Sequence, residues 1–155
     1  MVRRRQLLVT FVAGLCLLGG AATASARGLT SSEASVLKAM NGARTSHGLV
    51  PLRVDYRLER VARAHSTDML HRQYFAHTDF AVRMHGSGAR GPVFGENLAW
   101  GPVSAQWVVN RWLASPEHRA NLLRPGFRRV GVGTASGTFA GYAGAFVVTA
   151  DFAGS

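Results

Sequence analysis

Residues 112–123 read WLASPEHRANLL. Trp112 closes one helical run, and Ser115-Pro116-Glu117 opens another. Serine is a good N-cap, proline fits the first helical position, and a first-turn glutamate complements the positive end of the helix. A chain that stops and restarts a helix within three residues turns sharply. It places His118 and Asn121 at the head of the new helix, i and i+3 on one face. From the residues alone His118 reads as part of a helix start, and Asn121 as a side chain bonded to nearby backbone. The run ends at Pro125-Gly126.

Upstream, Val103 to Leu113 carries Trp107, Val108, Arg111 and Trp112 at helical spacing. Before it, residues 95–100 read GENLAW, with Glu96 inside a small apolar run and no charged neighbour. A glutamate is rarely buried unless something satisfies it. Val93 to Trp100 suits a short strand, and residues 78–92, with Gly86, Gly88, Gly91 and Pro92, read as a loop. Thr30-Ser31-Ser32-Glu33 matches a capping box, followed by Val36, Leu37, Met40 and Ala43 on one helical face up to His47-Gly48. Asp55 is an N-cap for a second helix to about Tyr74, with Leu58, Val61, Ala62, His65 and Met69 as its inner stripe. A histidine on such a stripe reads as a core residue. Downstream, Val130 to Ala135 is a strand, Ser136 to Gly141 a turn, and Ala145 to Phe152 a second strand by its alternation. Helices come first and strands late, so the chain reads as one α+β domain with helices packed on a small antiparallel sheet.

Three pieces form a constellation: Tyr74-Phe75-Ala76-His77, the Gly95-to-Ala99 run, and residues 112–123. With Gly131-Val132-Gly133 after them, the chain resembles the CAP superfamily of cysteine-rich secretory proteins, antigen 5 and pathogenesis-related proteins. Asn41, Arg44 and Gly48 to Leu52 agree with it, and the likeness is to a short bacterial secreted SCP-like branch. It runs from about Glu33 to Phe152. The resemblance implies an α-β-α sandwich with a cleft that gathers His77, Glu96 and His118. The family's second glutamate falls where Ser115 stands here, so the four-residue site is incomplete. Ser115 and Asn121 join the expected cleft. Two imidazoles and a carboxylate also suit Zn²⁺ or another divalent cation as three ligands with an open fourth position. The resemblance implies competence for metal through His77, Glu96 and His118, not occupancy. Read singly, Glu96 could instead cap backbone amides and His77 could end a helix.

Composition narrows the function classes. Arg3 to Arg5, the apolar run Leu7 to Leu18, and Ala24-Ser25-Ala26 read as a secretory signal peptide over residues 1–26. Arg4 to Leu8 loosely matches a twin-arginine signal, so the export route stays open. Residues 27–155 then form the domain, with no transmembrane helix expected and no cysteine, since Cys16 lies in the leader. Cysteine catalysis and disulfide stabilisation are excluded there, which fits a bacterial envelope or medium. Ser66, Ser87 and Ser115 lack a nucleophile elbow. The domain holds fifteen basic and eight acidic residues, a net charge of +7. The basic residues are scattered, so nucleic-acid binding is not expected. The function expected is an exported binding module of the cell envelope or medium, whose cleft holds a small ligand, a lipid or sterol, an envelope glycan, a protein partner or a divalent metal. The alternatives are a metal-dependent hydrolase using His77, Glu96 and His118, and a structural envelope or spore-associated protein.

Overall fold

The computed structural model describes residues 28–101 and 104–154. The expected leader, residues 1–26, and Val103 lie outside them. Nine elements follow in order: α1 Ser31–Ser46, β1 Arg53–Val54, α2 Tyr56–Arg72, α3 Phe80–Ser87, β2 Phe94–Gly101, α4 Ala105–Ala114, α5 Pro116–Leu122, β3 Phe127–Phe139 and β4 Tyr142–Gly154. No helix among the described residues is long and apolar enough to cross a membrane.

The helix starts follow from the caps. Thr30 Oγ1 accepts from Glu33 N at 3.2 Å, and Thr30 N donates back to Glu33 Oε2 at 2.7 Å. Asp55 Oδ1 accepts from Arg57 N at 3.0 Å to open α2, which ends at Gln73 in the left-handed region. Glu33 has a second role that its cap does not announce. Fully buried, it also binds Arg63 of α2, which reaches Glu59 as well.

The four strands lie in the order β1-β3-β4-β2. The antiparallel expectation holds for β2, β4 and β3, but β1 joins parallel to β3, so the sheet is mixed. β1 has only two residues, too few for a periodic signal. One face carries Val130, Val132, Val148, Ala150 and Phe152 against α1, α4 and α5. The other carries Leu98, Phe139 and Val147 under the end of α2, and Ala153 under Leu58 and Met84. The result is three layers: helix, sheet, helix.

Beyond shifts of a few residues at strand and helix ends, two segments differ from the sequence reading. Phe80–Ser87 is helix α3, not loop. The glycines sit at its far end, Gly88 caps it with φ +73°, and Phe80 and Met84, one turn apart, pack toward Leu58. The turn expected at Ser136 to Gly141 shrinks to two residues. β3 runs on to Phe139, which pairs with Tyr142, because Ala140 (φ 49°) and Gly141 (φ 83°) make the left-handed bend alone.

Candidate functional site: the Glu96 cluster and its cleft

Strand alternation sets the site. On β2, Glu96 and Leu98 point to the α2–α3 layer, while Asn97 turns toward α5. Glu96 is 6% exposed, and β2 is an edge strand. Its carbonyls are held from the side by the helices. Asn121 Nδ2 donates to Glu96 O at 3.1 Å, and Trp112 Nε1 donates to Leu98 O at 2.9 Å. Asn121 Nδ2 also meets Asn97 Oδ1 at 3.1 Å, while Asn97 Nδ2 donates to His118 O at 2.8 Å. These bonds lock α5 to the strand that carries Glu96 and blunt an edge open to pairing.

The glutamate answers to three side chains. His77 Nδ1 lies 2.7 Å from Oε1, and because an ionised carboxylate only accepts, that nitrogen carries the proton. Arg83 Nη2 donates to Oε1 at 3.0 Å. Oε2, 2.8 Å from the same nitrogen, lies off the N–H direction and receives no hydrogen bond. His65 Nε2 stands 3.9 Å from Oε2 and donates to Ala76 O at 3.1 Å. That bond anchors the residue before His77 and so steadies the link from α2 to α3. Arg83 is tied back by its own Nε, which donates to Thr78 O at 3.0 Å.

The electrostatics follow from this packing. Burial alone would raise the Glu96 carboxyl. The His77 bond and the Arg83 charge outweigh it and hold the group below its ordinary value. Burial and the nearby Arg83 charge lower His65, against the pull of Glu96. His118 is lowered by burial and then by His77.

His77 and Glu96 are thus brought together, as the resemblance implied. His118 is near enough to feel His77, yet no hydrogen bond or ion pair among the described residues links it to Glu96. It lines a groove of about 350 Å³ with Phe75, Trp100, Trp107, Trp112 and Ser115. Ser115 caps α5 by position without a side-chain cap bond, and its Oγ meets Glu117 Oε2 at 3.3 Å. Asn121 clamps backbone. A second groove, about 530 Å³, lies between α2 and α3 and is lined by His65, Tyr74 and Arg83. Its floor is the same cluster.

The arrangement does not fit the three-ligand Zn²⁺ site that the resemblance implied. Among the described residues no three His, Cys, Asp or Glu side chains stand together as metal ligands. Glu96 is already neutralised by a guanidinium, which leaves His77 Nε2 and the His118 ring as nitrogen donors without a carboxylate between them.

Sequence reasoning missed three members of the cluster. Arg83 hides in a stretch whose glycines suggest a loop. His65 reads as core, which it is, but its contact with Glu96 has no local signature. Asp151, opposite Glu96 on β4, is fully buried. The available signal was one acid in the run Ala145 to Phe152, whose other residues are apolar except Thr149.

The profile of the cysteine-rich secretory protein family, CAP, matches residues 37–152. The chain belongs to this family. Two relatives from Bacillus subtilis (strain 168) are 34% identical to it. The uncharacterised protein YkwD matches over 116 residues, 72% of this chain and 45% of its own. The uncharacterised membrane protein YlbC matches over 109 residues, 67% of this chain and 32% of its own. This CAP chain therefore spans less than half of the curated relatives it matches. Among solved structures, an extracellular SCP-domain protein from Bacillus anthracis aligns with a TM-score of 0.68 at 26% identity, covering 83% of this chain and 45% of that one. An outer surface protein from Borrelia burgdorferi shares the fold at 24% identity and TM-score 0.64, covering 77% of this chain and 90% of its own. The CAP fold, an α+β sandwich, is thereby established.

Proposed function

We propose that this CAP domain is an exported binding module of the envelope or medium, and that the groove beside His118 takes a lipid-like amphiphile. The observation that carries the reading is the groove's composition. Phe75 (42% exposed) and Trp107 (37% exposed) offer apolar surface to solvent at the rim, with Trp100 and Trp112 in the lining. His118 and Arg111 line the same groove, and the His77 side chain is 53% exposed. An apolar wall with a few convergent polar groups suits a ligand with a ring or acyl body and a polar head. Export is supported by the leader pattern and by the extracellular SCP-domain protein among its structural neighbours.

The test is native recovery of the secreted chain, organic extraction and mass spectrometry, followed by titration of a fatty acid against tryptophan fluorescence. Co-purifying lipid and saturable quenching support the reading. An empty extract together with unchanged fluorescence sinks it.

One observation favours a second reading, hydrolysis. A buried carboxylate orienting an exposed imidazole, with Nε2 left free, is the arrangement of a positioned general base. Ester or peptide turnover that disappears in both His77→Ala and Glu96→Gln would favour it over binding alone.

A further inference from the structure

The least explained group in the molecule lies behind Glu96. Asp151 on β4 is the direct cross-strand partner of Glu96 on β2, and both face the α2–α3 layer. Asp151 is 0% exposed, and neither of its carboxyl oxygens has a hydrogen-bond partner among the described residues. Glu96 Oε2 lacks one too. The charged and titratable groups that face the pair are Arg83 from α3, His65 from α2 and His77 from the link between them. Across β3 the register partner of Asp151 is Gly131, which brings no side chain. Arg83 meets Glu96 through Nη2, and its Nη1, itself without a partner among the described residues, stays 4.0 Å from Asp151 Oδ2 without bonding it.

Two ionised carboxylates opposed in a dry layer, with one guanidinium between them, repel each other and leave acceptors unsatisfied. One proton removes the repulsion and pairs two of the three orphaned oxygens. Placed on Asp151, it turns an orphaned acceptor into a donor, and the orphaned Glu96 Oε2 accepts from it. We propose that Asp151 is a neutral positioning residue whose carboxyl O–H donates to Glu96 Oε2 and leaves Oε1 turned to His77. The titration behaviour agrees in direction. Burial, and then the Glu96 charge, raise Asp151 well above the ordinary carboxyl value, and Arg83 only partly opposes them.

The site then has a second carboxyl, supplied from β4, as a hydrogen-bond donor and not as a base or ligand. Arg83 balances Glu96, so the buried cluster itself carries no spare negative charge and gives a divalent cation no extra hold there. The Asp151–Glu96 bond does not rest on the binding reading.

The experiment compares the full chain with Asp151→Asn and Asp151→Ala. Infrared difference spectroscopy with carbon-13-labelled aspartate reads the carbonyl stretch of a protonated acid at neutral pH. Nitrogen-15 NMR of the His77 ring reads its bond to Glu96. We expect a protonated-acid band in the parent that is absent from Asp151→Asn. We expect Asp151→Asn, whose amide still donates, to keep the parent His77 spectrum, and Asp151→Ala to shift it. No protonated-acid band at neutral pH overturns the proposal, and so does a His77 spectrum displaced equally by both variants. Should Asp151→Ala not fold, the band and the Asn variant decide alone. Fatty-acid titration of the parent is read separately: a band present without lipid binding sinks the binding reading and leaves Asp151 as assigned.

Discussion

Ala62 of α2 lies directly on Gly133 of β3, so close that a Cβ at Gly133 would overlap the Ala62 backbone. Gly131 stands in the same relation to Leu58 and Glu59, one turn earlier. Two glycines on one face of β3 let α2 settle onto the sheet, and that depth brings His65, three residues after Ala62, down to Glu96. Backbone cannot yield as a flexible side chain can. Gly133→Ala is therefore expected to cost about 3 kcal/mol or more, the upper range for overpacking, and to move His65 off Ala76 O. Gly42→Ala is the control. It sits in α1 with nothing within 4 Å of where a Cβ would stand, so better helix propensity should stabilise by roughly 0.5–1 kcal/mol. Urea denaturation of both variants checks the contrast.

Arg44 is a cation buried without an acid beside it. Fully buried at the end of α1, it donates through Nε to Val50 O, through Nη1 to Leu122 O and Arg124 O, and through Nη2 to Phe127 O, all at 2.8–3.1 Å. One planar fork thus closes α1, the link after it, the end of α5 and the start of β3. Lysine keeps the charge but cannot span four carbonyls in that plane. Arg44→Lys is expected to destabilise by about 3–5 kcal/mol, the range for a broken buried charged network. Arg44→Met should cost no more than lysine, since it leaves carbonyls unpaired without also stranding a charge. Paired denaturant melts test the order. A lysine variant close to the parent would contradict the geometry.

Stability should fall on the acid side before Glu96 is protonated. His65 and His118 both have lowered values in the fold, chiefly by burial. The unfolded chain then binds more protons than the folded one as pH falls through the ordinary histidine value of 6.5, so stability present above it is lost progressively toward the folded values. Glu96, also lowered, adds a further loss below the ordinary carboxyl range. Asp151 works the other way: its value is raised, so its contribution is lost as pH rises through the folded value. Thermal melts from about pH 5 to 9 should trace a dome. His65→Gln, which can keep a donor to Ala76 O, should flatten the acid limb, and an unchanged limb would remove His65 from the account.

Much of this was legible locally. The Thr30/Glu33 box, the Asp55 cap and the Ser115-Pro116-Glu117 restart each depend on neighbours a few residues apart, and each starts its helix where read, although Ser115 makes no side-chain cap bond. Glu96 was conspicuous because a lone carboxylate in an apolar run demands partners. What the sequence withheld was the identity of those partners. Arg83 was obscured by the glycines that follow it, although residues 80–85 contain no helix breaker. Alternation places Asp151 inside but does not say which strand lies beside it. The pairing of β4 with β2, and the slight β1 pairing with β3, are long-range choices made by the whole sheet. His118 feels the charge of His77, Glu96's partner, but its place beside that pair depends on how α5 docks on β2, which no local pattern announces.

The groove makes the final prediction. Trp107 packs its ring across Gly101, where a Cβ would meet it at 2.6 Å, and Arg111 lies over the same ring at 5.8 Å. Phe75 is on the link that also carries His77. Both side chains are more than a third exposed, so truncating either removes little buried core. If the groove binds an acyl or ring body, each loses a contact wall instead. Trp107→Ala and Phe75→Ala are expected to weaken fatty-acid binding by about tenfold each, ~1.4 kcal/mol, while thermal midpoints stay near the parent's. Arg111→Ala should weaken a carboxylate-headed ligand more than the matching alcohol, because the guanidinium that lines the groove addresses the head and the aromatic rings address the body. Fluorescence titration of Trp100 and Trp112 in each variant reads the affinities. Binding that is indifferent to Trp107 and Phe75 would place the ligand elsewhere on the domain.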